Sequence, residues 1–142
     1  MSMRLSILVS FFSLISMTCH SQNLPVNFND CKTDLFFTVV DQKPSFNNDS
    51  LTISDYFNQY FIETKSIKNF SGKVFLGILI FEDGKPCCKS FINMSQEDIK
   101  PELFREAVNN MPLWTPAKQT NKAVPFLMQL PLNFKNGQVI SP

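Results

Sequence analysis

Histidine and long apolar runs are scarce in this chain of 142 residues, and its charges are nearly balanced. The longest run that could enter a membrane, Leu5 to Met17, has 13 residues. In a helix it would span roughly 20 Å of a hydrocarbon core about 30 Å thick, so we do not expect a membrane-spanning helix. With 13 basic and 12 acidic side chains and no basic stripe, nucleic acid is not an expected partner either.

The first 21 residues have the layout of a secretory signal peptide, with Arg4 before the apolar run and small polar residues after it. We predict cleavage after Ser21, because Cys19 and Ser21 are small enough for the positions three and one residues before the cut. The exported protein is then expected in the periplasm. The alternative is lipidation of Cys19, which would tether the protein to a membrane. Cleavage also removes His20, the one histidine, so we expect neither a general base of that type nor enzyme activity, and no cofactor.

Three cysteines remain after this cleavage, namely Cys31, Cys87 and Cys88, and disulfides persist in an exported protein. Neighbouring strand residues point to opposite faces, and a bond between adjacent cysteines needs a strained ring. We therefore predict a disulfide from Cys31 to either Cys87 or Cys88, with one thiol left free. A metal site is not expected, because the sequence has no spaced cysteine pair and no second histidine to complete a tetrahedral shell.

Two helices are predicted by apolar residues that recur at helical spacing, from Thr52 to Glu63 and from Gln96 to Asn110. Pro101 then falls in the first turn of the second helix, where a missing amide hydrogen costs little. The side chains available as N-caps are Ser54 or Asp55 in the first helix and Ser95 or Asp98 in the second.

Strands are predicted on either side of an Asp83-Gly84 turn, from Lys73 to Phe81 and from Lys85 to Ile92. A final strand from Val124 to Phe134 alternates apolar even residues with a second, odd set, so one of its sides is buried. A short extended segment, Leu35 to Val40, precedes the first helix. The predicted fold class is therefore α+β, with a small antiparallel sheet, built of the hairpin and the final strand, packed with two helices.

Three stretches of the chain resemble the C-terminal domain of the bacterial TonB family. The stretch MPLWTPAKQTNKAVPFLMQLPLNF is similar to the end of these domains, and SGKVFLGILIFEDGKP to their first hairpin. FTVVDQKPSFNNDSLTISDYFNQYF resembles the segment and helix that come before that hairpin in versions associated with Bacteroidota. The residues that carry the likeness of the last segment are Met111, Trp114, Pro116, Val124, Pro131 and Phe134. The resemblance covers about residues 36 to 134.

The resemblance implies a domain that binds a short peptide segment of an outer-membrane transporter by strand addition. A TonB energy transducer also has a spanning helix and a long Pro-rich linker, so we expect only the contact module here. The alternative is a stand-alone accessory or structural envelope protein, lipid-anchored if Cys19 is modified. The expected organisation is a signal peptide (1–21), an irregular lead-in with one short strand (22–50), a TonB-like domain (51–136) and a tail (137–142).

The final strand contains the residues at which a partner is expected to bind. Pro125 and Pro131 both belong to the odd set, and prolines are tolerated on an outward edge but not within a ladder. The odd residues should therefore direct their backbone groups outward, which leaves Leu127, Gln129 and Asn133 to receive a guest strand or a second copy of the chain. Prolines on an edge also protect it against pairing, and this alternative stays open.

Overall fold

The computed structural model describes residues 23–46 and 49–142. The predicted signal peptide, its cleavage after Ser21 and the lipidation of Cys19 lie outside the described residues. Inside them the fold is α+β, as predicted, with two helices, a five-stranded sheet and a two-stranded one. The helices are α1 (Ile53–Thr64) and α2 (Pro101–Asn109). The strands are β1 (Val26–Asn27), β2 (Gly72–Ile80), β3 (Pro86–Asn93), β4 (Ala117–Gln119), β5 (Lys122–Val124), β6 (Phe126–Lys135) and β7 (Gln138–Ser141).

Helix α1 begins with a capping box that differs from the predicted caps. Thr52 is the N-cap, and its hydroxyl accepts a hydrogen bond from the Asp55 amide at 3.1 Å. The Asp55 carboxylate in turn accepts one from the Thr52 amide at 3.1 Å. Ser54 and Asp55 were therefore the wrong choice of cap, because both lie inside the helix and Asp55 is the reciprocal member of the box. The helix ends at Thr64, and its C-cap residue Lys65 has a left-handed φ of 51°.

Helix α2 starts later than its apolar pattern predicts. Pro101 occupies the first turn, as expected, but the N-cap is Lys100 and its side chain makes no capping bond. The predicted caps Ser95 and Asp98 were wrong, because both lie before the helix. Ser95 Oγ instead bonds Asn93 Oδ1 at 2.7 Å, which stabilises the loop between β3 and the helix.

The five-stranded sheet is antiparallel throughout, in the order β1, β3, β2, β6, β7. A register shift at Gly77/Ile78 places Cys88 opposite Ile78 and Cys87 opposite Leu79. The two neighbouring cysteines therefore lie on opposite faces of the sheet.

The two faces of the sheet are covered unequally. Both helices pack on one face and enclose the main core. Its largest fully buried side chains include Phe57, Phe61, Phe91, Phe104, Leu76, Ile78, Ile80 and Leu132. Trp114 also belongs to this core, at 4% exposure. A smaller cluster on the other face joins Cys31, Leu79 and Cys87 with Phe36, Phe81 and Leu127.

The last part of the chain differs from the prediction at both ends. Val124 belongs to β5, and Pro125 separates it from β6. The residues predicted as a tail, 137–142, contain strand β7, so that boundary was wrong. Asn136 and Gly137, with φ of 51° and 78°, turn the chain back along β6, and Val139 is buried in the core.

Candidate partner-binding edge

The outward edge of β6 has the backbone polarity that the alternation predicts. Its even residues carry the buried side chains, with Leu132 fully buried and Phe134 nearly so. Its odd residues direct their backbone groups away from β2, because the Leu127 amide donates to the Phe37 carbonyl at 3.0 Å. The Phe37 amide donates to the Pro125 carbonyl at 2.8 Å. Phe37 thus forms a single parallel bridge on this edge.

Of the three residues predicted to receive a guest strand, the structure leaves one open. The amide of Leu127 is already bonded to Phe37 of the same chain. Asn133 faces Ser141 of β7, and its side-chain amide donates to the Ser141 hydroxyl at 3.0 Å. Gln129 is exposed, and no hydrogen bond joins its outward backbone to another residue in the described ranges 23–46 and 49–142. Of the three predicted residues, Gln129 is therefore the one whose outward backbone groups remain available to a guest strand.

The two prolines set the hydrogen-bonding capacity of this edge. Pro125 and Pro131 have no amide hydrogen, so Leu127 and Gln129 supply the only outward donors between them. The acceptors are the four carbonyls of the odd residues from 125 to 131. Such an edge can pair with one short extended segment and not with a long one, since the ladder loses a donor at either end.

The segment that covers the first half of this edge, residues 35–39, is here called the strap. Phe36 packs into the cluster of Leu79, Leu127 and the disulfide. Leu35, Phe37 and Val39 point the other way, and Leu35 and Val39 are 82% and 83% exposed. The chain bends after Phe37, so the parallel ladder stops at one bridge instead of reaching Gln129.

Both ends of the strap are fixed to the domain. On one side, Cys31 and Cys87 form a disulfide with a Cα–Cα distance of 5.8 Å, which is one of the two pairings the sequence leaves open. On the other side, Gln42 and Lys118 exchange backbone hydrogen bonds of 3.1 and 2.9 Å. The Asp41 carboxylate adds a bond from the Thr120 amide at 2.9 Å. The strap is therefore a short bridge between two firm anchors.

Cys88 is the remaining free thiol, and its surroundings differ from those of its neighbour. It is fully buried in the main core, on the helix side of the sheet. Burial raises the pKa of the Cys88 thiol to about 12, although a hydrogen bond with the Ser90 backbone acts in the opposite direction. At neutral pH Cys88 is therefore protonated and unreactive.

The other edges of the sheet are closed to a guest strand to different degrees. At β7, the Asn58 side chain from α1 accepts a hydrogen bond from the Val139 amide at 2.7 Å and donates one to the Val139 carbonyl at 3.1 Å. The Asn58 side chain thus makes the two hydrogen bonds that the backbone of a neighbouring strand would make with Val139. At the opposite edge, β1 is only two residues long, and the Cys88 amide beside it donates to Asn109 Oδ1 at 2.9 Å. In the described ranges, no segment covers the outward backbone of β6 around Gln129.

A shallow cleft of about 790 Å³ lies beside the disulfide and the β2–β3 turn. Its charged lining mixes the two signs, with Asp30 and Glu82 against Lys32 and Lys85. Within the described part of the chain, no group of three histidine, cysteine or acidic side chains could hold a metal ion.

Comparison of the chain with protein-family models, curated proteins and solved structures gives no match. Neither helix in the described ranges is long and apolar enough to cross a membrane.

Proposed function

We propose that this protein is a periplasmic binding module, related to the TonB C-terminal domain, that accepts an extended segment of a partner protein on the outward edge of β6. The resemblance makes an outer-membrane transporter the favoured partner. The observation that carries the proposal is the edge itself, on which the chain's own Phe37 already forms two strand-type hydrogen bonds of 2.8 and 3.0 Å. A backbone edge that pairs with one extended segment has the geometry to pair with another.

Gln129 provides the sharpest test, because its outward amide is not used by the chain's own strap. Leu127→Pro would remove partner binding as well, but it would also break the bond to Phe37. Gln129→Pro deletes the free amide and keeps the strap, and Pro131 shows that an outward position of this strand accepts proline. Gln129→Ala is the matched control, since it removes the same side chain and retains the amide.

The partner is to be captured in intact cell envelopes by a photoreactive side chain placed at position 129 and by one placed at Gln138 as a surface control. The captured segment is then synthesised and titrated against both Gln129 variants. We expect Gln129→Ala to bind it like the wild type, and Gln129→Pro to bind it at least about tenfold more weakly, because one ladder hydrogen bond is lost and the ring intrudes. Equal affinity of the two variants would exclude strand addition at this edge.

A stand-alone accessory or structural envelope protein is the second candidate function. The observation in its favour is that the five-stranded sheet has protected edges, through the Asn58 bonds on β7 and the prolines beside and within β6. In this case no segment is captured specifically at position 129. Pairing of two copies through the same edge would instead appear as a homodimer in light scattering, and Gln129→Pro would dissociate it.

A further inference from the structure

We propose that the strap, residues 35–39, is a built-in competitor for the β6 edge, which a partner segment has to displace before it can pair along the full edge. This inference rests on the proposed function and adds a regulatory step to it. It also defines the class of ligand, since the present occupant is the uncharged sequence Leu-Phe-Phe-Thr-Val. The fitting partner is an extended segment of aromatic and β-branched residues, with one aromatic side chain in the place of Phe36.

The strap occupies only half of the available edge. Phe37 uses the Pro125 carbonyl and the Leu127 amide, whereas the backbone around Gln129 receives nothing from the strap. With the strap in place, a guest finds one outward donor, the Gln129 amide. With the strap displaced, the open edge runs over seven residues from Pro125 to Pro131, roughly 20 Å, and provides two donors. When the strap is displaced, the edge therefore offers two backbone donors instead of one, over a length sufficient for a guest strand.

The strap is weakly held between its anchors. Its backbone makes two hydrogen bonds to β6, both through Phe37, and only Phe36 packs into a cluster. Three of its large apolar side chains are exposed, namely Leu35, Phe37 and Val39. Segments with few buried contacts and solvent-facing hydrogen bonds open at lower free energy than the core does. The strap is thus the part of the edge that can move without unfolding the sheet.

The anchors determine how strongly the strap competes. Because the disulfide at Cys31 and the pairing at Gln42 tie both ends down, the strap remains close to the edge even when it is released. A short tethered segment has an effective concentration in the millimolar range, so a free segment of equal intrinsic affinity cannot displace it at micromolar concentration. A partner segment that also pairs with Gln129 makes one more backbone hydrogen bond to β6 than the strap does, and this bond favours the partner segment.

The test uses the full mature chain and a synthetic copy of residues 34–40, Asp-Leu-Phe-Phe-Thr-Val-Val, with a lysine tail for solubility and a fluorophore. The double variant Phe36→Ser/Phe37→Pro removes the packed side chain and the donating amide, and so releases the strap. Its matched control, Leu35→Ser/Phe37→Ala, changes two exposed side chains and keeps both holding contacts. Exchange of the Leu127 amide, followed by NMR, reports whether the strap has left the edge, and fluorescence anisotropy measures peptide binding.

We expect the Leu127 amide to exchange at least tenfold faster in the released variant than in the control, and the peptide to bind the released variant at least tenfold more tightly than the wild type. Adding Gln129→Pro to the released variant should weaken this binding. Measurable binding of the peptide with equal affinity to the wild type and the released variant would overturn the competitor role alone, and so would an unchanged exchange rate of the Leu127 amide. A released variant with a fast-exchanging Leu127 amide that binds no peptide would overturn strand addition itself.

Discussion

The two halves of the β6 outward edge are covered in different ways. The half near Asn133 is covered by β7, which a tight Asn136-Gly137 turn connects directly to β6. Val139 of β7 is buried in the main core, and Asn58 bonds its amide and its carbonyl. The half near Leu127 is covered by the strap, which has two backbone bonds and mostly exposed side chains.

The difference shows that an edge can be closed permanently or reversibly according to what else the covering segment contacts. β7 places Val139 in the main core and is bonded to Asn58 of α1, so we expect it to leave β6 only when these core contacts break. The strap has no residue in the main core, and only Phe36 packs in the smaller cluster, so we expect the strap to leave alone. Local opening free energies in proteins range from near zero up to the global value, and we place the strap near the low end and β7 near the high end.

The largest predicted effect comes from removing the disulfide that anchors the strap. The bond joins residues 56 apart in sequence, and closing a loop of that length stabilises a protein by up to about 4 kcal/mol in the chain-entropy model. Cys31→Ser/Cys87→Ser should lower the free energy of unfolding, measured by urea denaturation, by an amount of this order. Wild-type protein under reducing conditions is the control and should show the same loss.

The same variant sharpens the comparison of the two halves. In this variant, the protection of the Leu127 amide against hydrogen exchange should fall by more than the decrease in the free energy of global unfolding. The amides of β6 that face β2 should lose protection only in proportion to that decrease. Uniform loss at every position would contradict the view that the strap opens on its own.

The next largest effect is predicted at the β7 edge. Asn58→Ala leaves the partly buried Val139 amide and carbonyl without their partner, which should cost about 1 to 3 kcal/mol of unfolding free energy. Gln59→Ala is the control, because Gln59 is exposed on the same helix and bonds only Glu63 at 2.9 Å. Urea denaturation of both variants measures the difference. If Asn58→Ala lowered the free energy of unfolding no more than Gln59→Ala does, the hydrogen bonds between Asn58 and Val139 would not be what holds β7 in place.

Much of the fold could be predicted from local patterns. The alternation from Phe126 to Phe134 gave the buried side of β6 and the direction of its outward backbone, since period-two patterns depend only on neighbouring residues. The β2–β3 hairpin and both helices follow from patterns of the same kind. Strand β7 was missed although Asn136-Gly137 is a strong hairpin signal, because its four residues bury only Val139 and show little periodicity.

The parts of the site that were missed depend on contacts between distant residues. Nothing local to Phe37 indicates that it pairs with Leu127, and an asparagine at position 58 resembles any polar residue on a helix surface. The choice of Cys87 over Cys88 as the partner of Cys31 depends on the register shift at Gly77/Ile78, which determines the face of the sheet on which each cysteine lies. The amino-acid sequence gives no local signal for this shift.

The smallest predicted effect concerns Cys88, which tests whether the strap keeps its anchor. Exchange of the Cys31–Cys87 disulfide would need a thiolate, and Cys88 is the free cysteine among the residues that the structure describes. The pKa of this thiol is about 12 in the fold against an ordinary value of 9.0, so the unfolded chain releases the proton first as pH rises. The stabilising contribution is therefore complete below pH 9 and is lost between pH 9 and 12, at about 1.4 kcal/mol per pH unit.

Between pH 8 and pH 10 the wild type should accordingly lose about 1.4 kcal/mol more unfolding free energy than Cys88→Ala, which has no thiol at this position. Urea denaturation of both proteins at the two pH values measures this difference, and any cavity left by the alanine cancels because it acts at both. Tyr56, whose pKa burial also raises to about 12, cancels in the same way. Mass spectrometry confirms that Cys31–Cys87 is intact at pH 10. A disulfide found on Cys88 would mean that the anchor exchanges and that the two halves of the edge differ less than their contacts indicate. Equal pH dependence of the two proteins would mean that burial does not raise the pKa of the Cys88 thiol.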